Sequence, residues 1–265
     1  MPLIPDPILH VLIEQALVGD PAAAGFEVRY QPIARFDDSA IVAVEALARW
    51  NHPVAGTIAP EVFVAGAEQI GLIGVLDDCV LNWTCDDANA LEHVYGRDVQ
   101  LHVNVSASRL ARPDLDAAIS SALNRHHLPP HRLTLEITET HRITDLNAAA
   151  TAMKRIRNRG VRIALDDFDS SLNGLEQLDA LPIDTIKLGV TLTRAPAASR
   201  RMQALRQLAV GTCQRKGIGV VAEGIETFAQ AFAMQRIGCE FGQGHLYGIP
   251  SRLEPAASVY ADLPW

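Results

Sequence analysis

The sequence predicts an α/β fold, a (β/α)8 barrel whose first strand runs antiparallel to its neighbours. Three observations carry that expectation. Short β-branched, apolar segments alternate with longer segments of helical period, the pattern of successive βα units. The first two strand segments are separated only by ARFDDSA, too short for a parallel crossover, so they form a hairpin. Each strand segment also carries a polar residue late in an apolar run, as in a barrel that collects its chemistry at the strands' C-terminal rim.

Taken in order, residues 1–25 form a leading helix or arm, and the barrel occupies 26–265. Strands are expected at 26–33, 41–50, 101–106, 133–138, 161–168, 184–188, 219–224 and 239–247. Helices are expected at about 60–70, 73–93, 113–127, 145–159, 173–180, 197–216 and 226–236. Pro60 suits a first helical turn, Asp145 and Thr227 suit N-caps, and Gly71, Gly160 and Gly217 stand where helices close. In the leading segment Ile8, Leu12 and Leu17 form an apolar stripe that packs on the barrel's base.

Composition narrows the function classes. An apolar share of 48% with only 20% charged residues excludes a disordered chain. A formal charge of −8 leaves no general basic surface, which argues against DNA and anionic membranes as partners. Cys79, Cys85, Cys213 and Cys239 form no CxxC pair and no zinc-like spacing, so they read as free thiols in a reducing compartment. The first twenty residues are interrupted by Asp6 and Glu14 and lack a basic leader, and no run is long enough to span a bilayer. A cytoplasmic protein is expected.

The rim residues are the informative ones. RIALDDFDSS (162–171) drives an apolar strand straight into Asp166 and Asp167, two carboxylates that repel each other. Glu45, Asn104, Glu136, Lys187, Glu223 and Gln243 stand late in the other strands, and Gln31 in the first. Five carboxylates at a partly dry rim cannot all stay ionised unaided. Two divalent cations, Mg2+ or Mn2+, resolve the repulsion, because the donors are hard oxygens. Such a pair suits phosphodiester hydrolysis, with Lys187 orienting water and Glu223 either ligating or accepting a proton. The nine histidines show no HxxxH-type pairing and read as scattered surface or core residues.

With these residues in place the chain resembles the EAL domain family. VEALARWNHP (44–53) resembles the Glu-Ala-Leu signature, and YQPI (30–33), VNVSASRL (103–110), LEITET (135–140), ALDDF (164–168), LPIDTIKL (181–188), VAEGIET (221–227) and GCEFGQGHLYGIP (238–250) follow in order. The resemblance implies a TIM-like barrel, a homodimer, and metal-dependent hydrolysis of cyclic di-GMP to linear pGpG. It implies that Glu45, Asn104, Glu136 and Asp166 hold one ion, and that Asp166, Asp167 and Glu223 hold the second. It further implies a water contact for Lys187, substrate contacts for Gln31, Leu47, Arg49 and Gln243, and a loop-anchoring role for Glu139.

Two departures set up an alternative. The family's Asp-Asp-Phe-Gly-Thr-Gly-Tyr-Ser-Ser-Leu is here DDFDSSLNGL (166–175), and Gly189 replaces the family's usual acid two residues after the lysine. Asp and Ser resist backbone conformations open to Gly, so the loop is expected to take another path. The alternative is a weak or inactive EAL domain that serves as a cyclic di-GMP receptor or docks a regulatory protein partner.

Overall fold

A computed structural model of the chain describes residues 6–110, 112–138, 143, 145–168, 172–195 and 199–253. Its nine strands are β1 (Phe26–Arg35), β2 (Ile41–His52), β3 (Gly56–Ile58), β4 (Gln100–Val105), β5 (Leu133–Thr138), β6 (Arg162–Phe168), β7 (Thr185–Leu188), β8 (Gly219–Ala222) and β9 (Phe241–Gln243). Eight of them close a ring in the order β1-β9-β8-β7-β6-β5-β4-β2, with β2 pairing back to β1. The extra strand, β3, hangs on β2 outside the ring and was not expected from the sequence.

β1 is antiparallel to both β2 and β9, whereas the other ring pairs are parallel. The hairpin length dictates this, as expected. Strand alternation then sorts the side chains. Ile33, Ala43, Val221 and Phe241 form a small apolar cluster of their own, separate from the main core. Each stands two positions from a rim residue: Gln31, Glu45, Glu223 and Gln243 respectively. The same face of each strand thus supplies an apolar floor and a polar rim.

The helices pack outside the ring through the main core. Asp145 caps its helix by accepting from the Ala148 N–H at 2.9 Å. Thr227 and Gln230 form a capping box for the helix Phe228–Arg236. The stretch expected as one helix over 73–93 is two, Ile73–Asp86 and Ala88–Tyr95. The break falls at Asp87, whose carboxylate accepts from the Tyr30 hydroxyl at 2.6 Å and ties the helix pair to β1. A short helix, Val190–Thr193, follows β7 and was also missed.

The leading segment is the helix Asp6–Val18, with Leu9, Ile13, Ala16 and Leu17 buried. Of the expected stripe, Leu17 is buried and Leu12 packs against the core, whereas Ile8 is exposed and Leu9 and Ile13 take its place. This helix lies on the helix Pro60–Gln69 at Gly66, where a Cβ would meet the Ile13 side chain. Beside it Phe26 stacks on Trp50 at 4.5 Å, with Phe63 edge-on to both. Among the described residues no helix is long and apolar enough to cross a membrane.

Candidate functional site

At the C-terminal rim the Lys187 ammonium is the hub. From β7 it reaches Glu45 Oε2 (β2) at 2.9 Å and Glu136 Oε2 (β5), Asp166 Oδ1 (β6) and Glu223 Oε1 (just after β8) at 3.0 Å each. Register explains the convergence. Glu45 lies opposite Gln31 on β1 and beside His102 on β4, Asn104 lies beside Glu136, and all share the inner face. Gln243 donates to Glu45 at 2.6 Å and to Gln31 at 3.2 Å, and Asn104 donates to Glu45 Oε1 at 2.8 Å. Gln31 in turn donates to the Gly248 carbonyl at 3.3 Å.

The electrostatics follow from four acids around one buried cation. Burial alone would discharge Lys187, but Asp166, Glu136, Glu223 and Glu45 hold its pKa well above the ordinary lysine range. Burial also pushes Glu45 up, yet Lys187, Gln243 and Asn104 outweigh it and bring it down to about 2. Glu136, fully buried next to the Glu45 charge, goes the other way and is raised. Burial pushes Glu223 up to about 8 against the pull of Lys187. One ammonium therefore cannot satisfy four carboxylates. Its three N–H bonds cannot aim at all of them, and Asp166 Oδ1 is buried with no hydrogen bond.

His102 is the residue the sequence reading missed. It reads in the sequence as one of the scattered surface or core histidines; it is a buried one, and its Nδ1 lies 2.6 Å from Glu136 Oε1. Burial and the Lys187 charge lower its pKa to about 3, so the imidazole is neutral where it shares a hydrogen bond with Glu136. The available signal was its place two residues before Asn104, on the same strand face. Arg194 was missed as well; it lines the cleft and donates to the Gly224 carbonyl at 3.0 Å and to Glu226 at 2.6 Å.

The cleft over this cluster has a volume of about 290 Å³ and is lined by Gln31, Glu45, Leu47, Asp166, Lys187 and Glu223, among others. A neighbouring cavity of about 400 Å³ shares Leu47 with it, is lined also by Arg49 and Asn104, and is walled by Ile73, Leu76 and Val80. A larger one, about 490 Å³, opens at the opposite end of the barrel, away from the carboxylates. Two expected site residues among the described ones stand apart from the hub. Asp167 is exposed and lies beside Gly189, and Arg49 is half-buried and donates to the Ala48 carbonyl at 2.8 Å. Glu139 lies outside the described residues, as do 169–171 of the altered loop.

The donors fit hard divalent cations in kind: carboxylates and one amide, with surplus negative charge and a buried oxygen lacking a hydrogen bond. Among the described residues no three such groups already surround a point open to an ion, because the ammonium occupies the centre. The countercharge expected from metal is supplied in this structure by Lys187.

Comparison with known proteins agrees with this geometry. The EAL domain family matches residues 13–250. The chain is 34% identical over 225 residues to the cyclic di-GMP phosphodiesterase NbdA of Pseudomonas aeruginosa, covering 84% of this chain and 29% of that one. It is also 34% identical to the uncharacterized protein Mb1392c of Mycobacterium bovis, covering 83% and 73%. Several of the curated relatives are much longer, and the chain spans only 28% to 36% of their length. Among solved structures, the PaMucR phosphodiesterase in complex with c-di-GMP superposes with a TM-score of 0.81 at 32% identity, covering 90% of this chain and 97% of that one. The EAL enzyme Bd1971, bound to cAMP and cyclic di-GMP, gives a TM-score of 0.82 at 26% identity, covering 92% and 67%. The barrel, the ordered motifs and the matched span together place this chain in the EAL domain family.

Proposed function

We propose that this chain is a cyclic di-GMP phosphodiesterase of the cytoplasm, acting as a homodimer and hydrolysing the cyclic dinucleotide to linear pGpG. The observation that carries the reading is the convergence of Glu45, Glu136, Asp166 and Glu223 on Lys187 beneath an open cleft. Such an excess of buried negative charge costs stability and is a poor structural device. A relative named as a cyclic di-GMP phosphodiesterase and a neighbour solved with c-di-GMP support the choice of substrate.

Glu45, Asn104, Glu136 and Asp166 would hold one Mg2+ or Mn2+, and Asp166, Asp167 and Glu223 a second. When bound, such ions supply positive charge to the phosphate oxygens and acidify a water. The chain's own groups do the rest. Lys187, charged among its carboxylates, is placed to orient the water. Glu223 lines the cleft, where it either ligates the second ion or accepts the water's proton. Water oxygen bonds to phosphorus, the P–O3′ bond breaks, and the proton ends on the 3′ oxygen. Gln31, Leu47 and Gln243 border the cleft where the sugar-phosphate ring would lie, and Arg49 stands beside the apolar cavity, in reach of a base or phosphate.

The test is purified protein with cyclic di-GMP and Mn2+, with products separated by chromatography. Linear pGpG that disappears in Glu45→Ala supports the reading. A second reading, a receptor without turnover, is favoured by DDFDSSLNGL and by carboxylates that already bind Lys187. Tight binding with no product over hours selects it.

A further inference from the structure

The base of the barrel is built from the same strand face as the rim, read two positions at a time away from the carboxylates. Glu45 on β2, His102 on β4, Thr134 on β5 and Arg162 on β6 stand in one register row. A row that starts among the carboxylates therefore ends, at the base, on an inward-facing arginine. On β1 Arg35 stands two positions beyond Ile33, and on β4 Gln100 stands two before His102. The lowest inward layer is thus polar.

A barrel interior is ordinarily a packed core of layered apolar side chains. Here the apolar floor of the cleft, Ile33, Ala43, Val221 and Phe241, becomes the roof of a cavity of about 490 Å³ open at the base. That is the size of a small-molecule site. His102 stands in its wall with a side chain only 7% exposed. One of its ring nitrogens meets Glu136, and the other has no hydrogen-bond partner among the described residues.

The charges at this mouth are mostly of one sign. Arg35, Arg97 and Arg162 line the cavity against Asp98 alone, in a chain whose formal charge is −8. Asp38 holds Arg35 at 3.0 Å and Glu92 holds Arg97 at 3.5 Å, whereas the Arg162 guanidinium has no hydrogen bond or ion pair among the described residues. A solvated arginine needs no partner, but this one is fixed by its strand at the lip of a concavity.

We infer that the base of the barrel is a second ligand site, for a small organic anion: its phosphate or carboxylate head pairs with Arg162, and its apolar body lies under Ile33, Val221 and Phe241 beside His102. The site does not depend on the phosphodiesterase reading. Its test uses metal-free protein and no cyclic dinucleotide, so either can fail alone.

Phenyl phosphate and benzoate are the probes, titrated into the whole chain and followed by chemical shifts of the protein. Saturable binding with shifts confined to the cavity residues is expected, and the tighter probe names the head group. Inorganic phosphate and benzyl alcohol, which each keep half of the contacts, should bind at least about tenfold more weakly. Arg162→Gln should weaken the better probe by about tenfold, the loss of one charged hydrogen bond, with melting temperature and Mn2+ binding unchanged. Arg162→Lys, which keeps the charge and loses the fork, should weaken it less. No binding of either probe at millimolar concentration overturns the site. So do shifts in the carboxylate cleft instead of the cavity, or equal affinity in wild type and Arg162→Gln.

Discussion

Two buried cations, Lys187 and Arg109, are each ringed by acids, and they differ in a way that separates a reactive site from a clamp. Lys187 gathers Glu45, Glu136, Asp166 and Glu223 within 3.0 Å, with side chains 0% to 18% exposed. Arg109, whose side chain is 2% exposed, meets Asp78 at 2.6 Å, Asp77 at 3.8 Å and Asp114 at 3.9 Å, and two of these acids are 40% or more exposed. Around Arg109 the surplus charge drains into water, and the acids come from neighbouring helices. Around Lys187 it is trapped, and the acids come from strands far apart in the chain. Trapped charge of one sign on rigid strands is the condition that recruits cations.

The largest expected effects sharpen that contrast. Glu45→Ala should abolish pGpG formation, and Asp166→Asn should cost more activity than Asp167→Asn, because Asp166 alone of the pair faces the hub. The reverse order in steady-state rates would refute the assignment of Asp166 as the shared ligand. Arg109→Ala should instead lower stability by about 1.5–3 kcal/mol, the order of one charged hydrogen bond to the part-exposed Asp78, with kcat per folded molecule unchanged. Lys187→Met combines both effects. Metal-free variant protein should melt well below wild type, and Mn2+ should raise its Tm by more than it raises that of wild type.

A smaller effect concerns pH. Glu223 has a folded pKa of about 8 against an ordinary 4.5, and Asp77, in the Arg109 cluster, about 7 against 3.8. Between each pair of values the unfolded chain has lost a proton that the folded chain keeps. Stability of the metal-free protein should therefore fall as pH rises from about 5 to 8 and level off above. Glu45, lowered to about 2, acts oppositely and only below pH 4.5. Asp77→Asn should remove one part of the decline and saturating Mn2+ the Glu223 part. A Tm constant between pH 5 and 8 would contradict both. Smallest is Gln243→Ala, which removes one hydrogen bond to Glu45 and should cost about 1–3 kcal/mol of stability.

Much of the ring was legible because hairpin length and strand alternation are local rules. ARFDDSA compelled the antiparallel β1, and spacing by two placed Gln31, Glu45, Asn104, Glu136, Lys187 and Gln243 on one face. What escaped depended on contacts distant in sequence. His102 reads as an ordinary strand residue until β5 brings Glu136 to it, and the helix break at Asp87 needs Tyr30. The separate fates of Asp166 and Asp167 depend on a bulge, and a bulge appears only when β6 meets β7.

The central claim is that the Lys187 carboxylates form a cation site, and Mn2+ titration of metal-free protein by calorimetry in buffers of different ionisation enthalpy tests it most directly. The account predicts two ions per chain, with a proton released because Glu223 must ionise to bind. Absence of binding at millimolar Mn2+, or binding that survives Glu45→Ala and Asp166→Asn together, would contradict it.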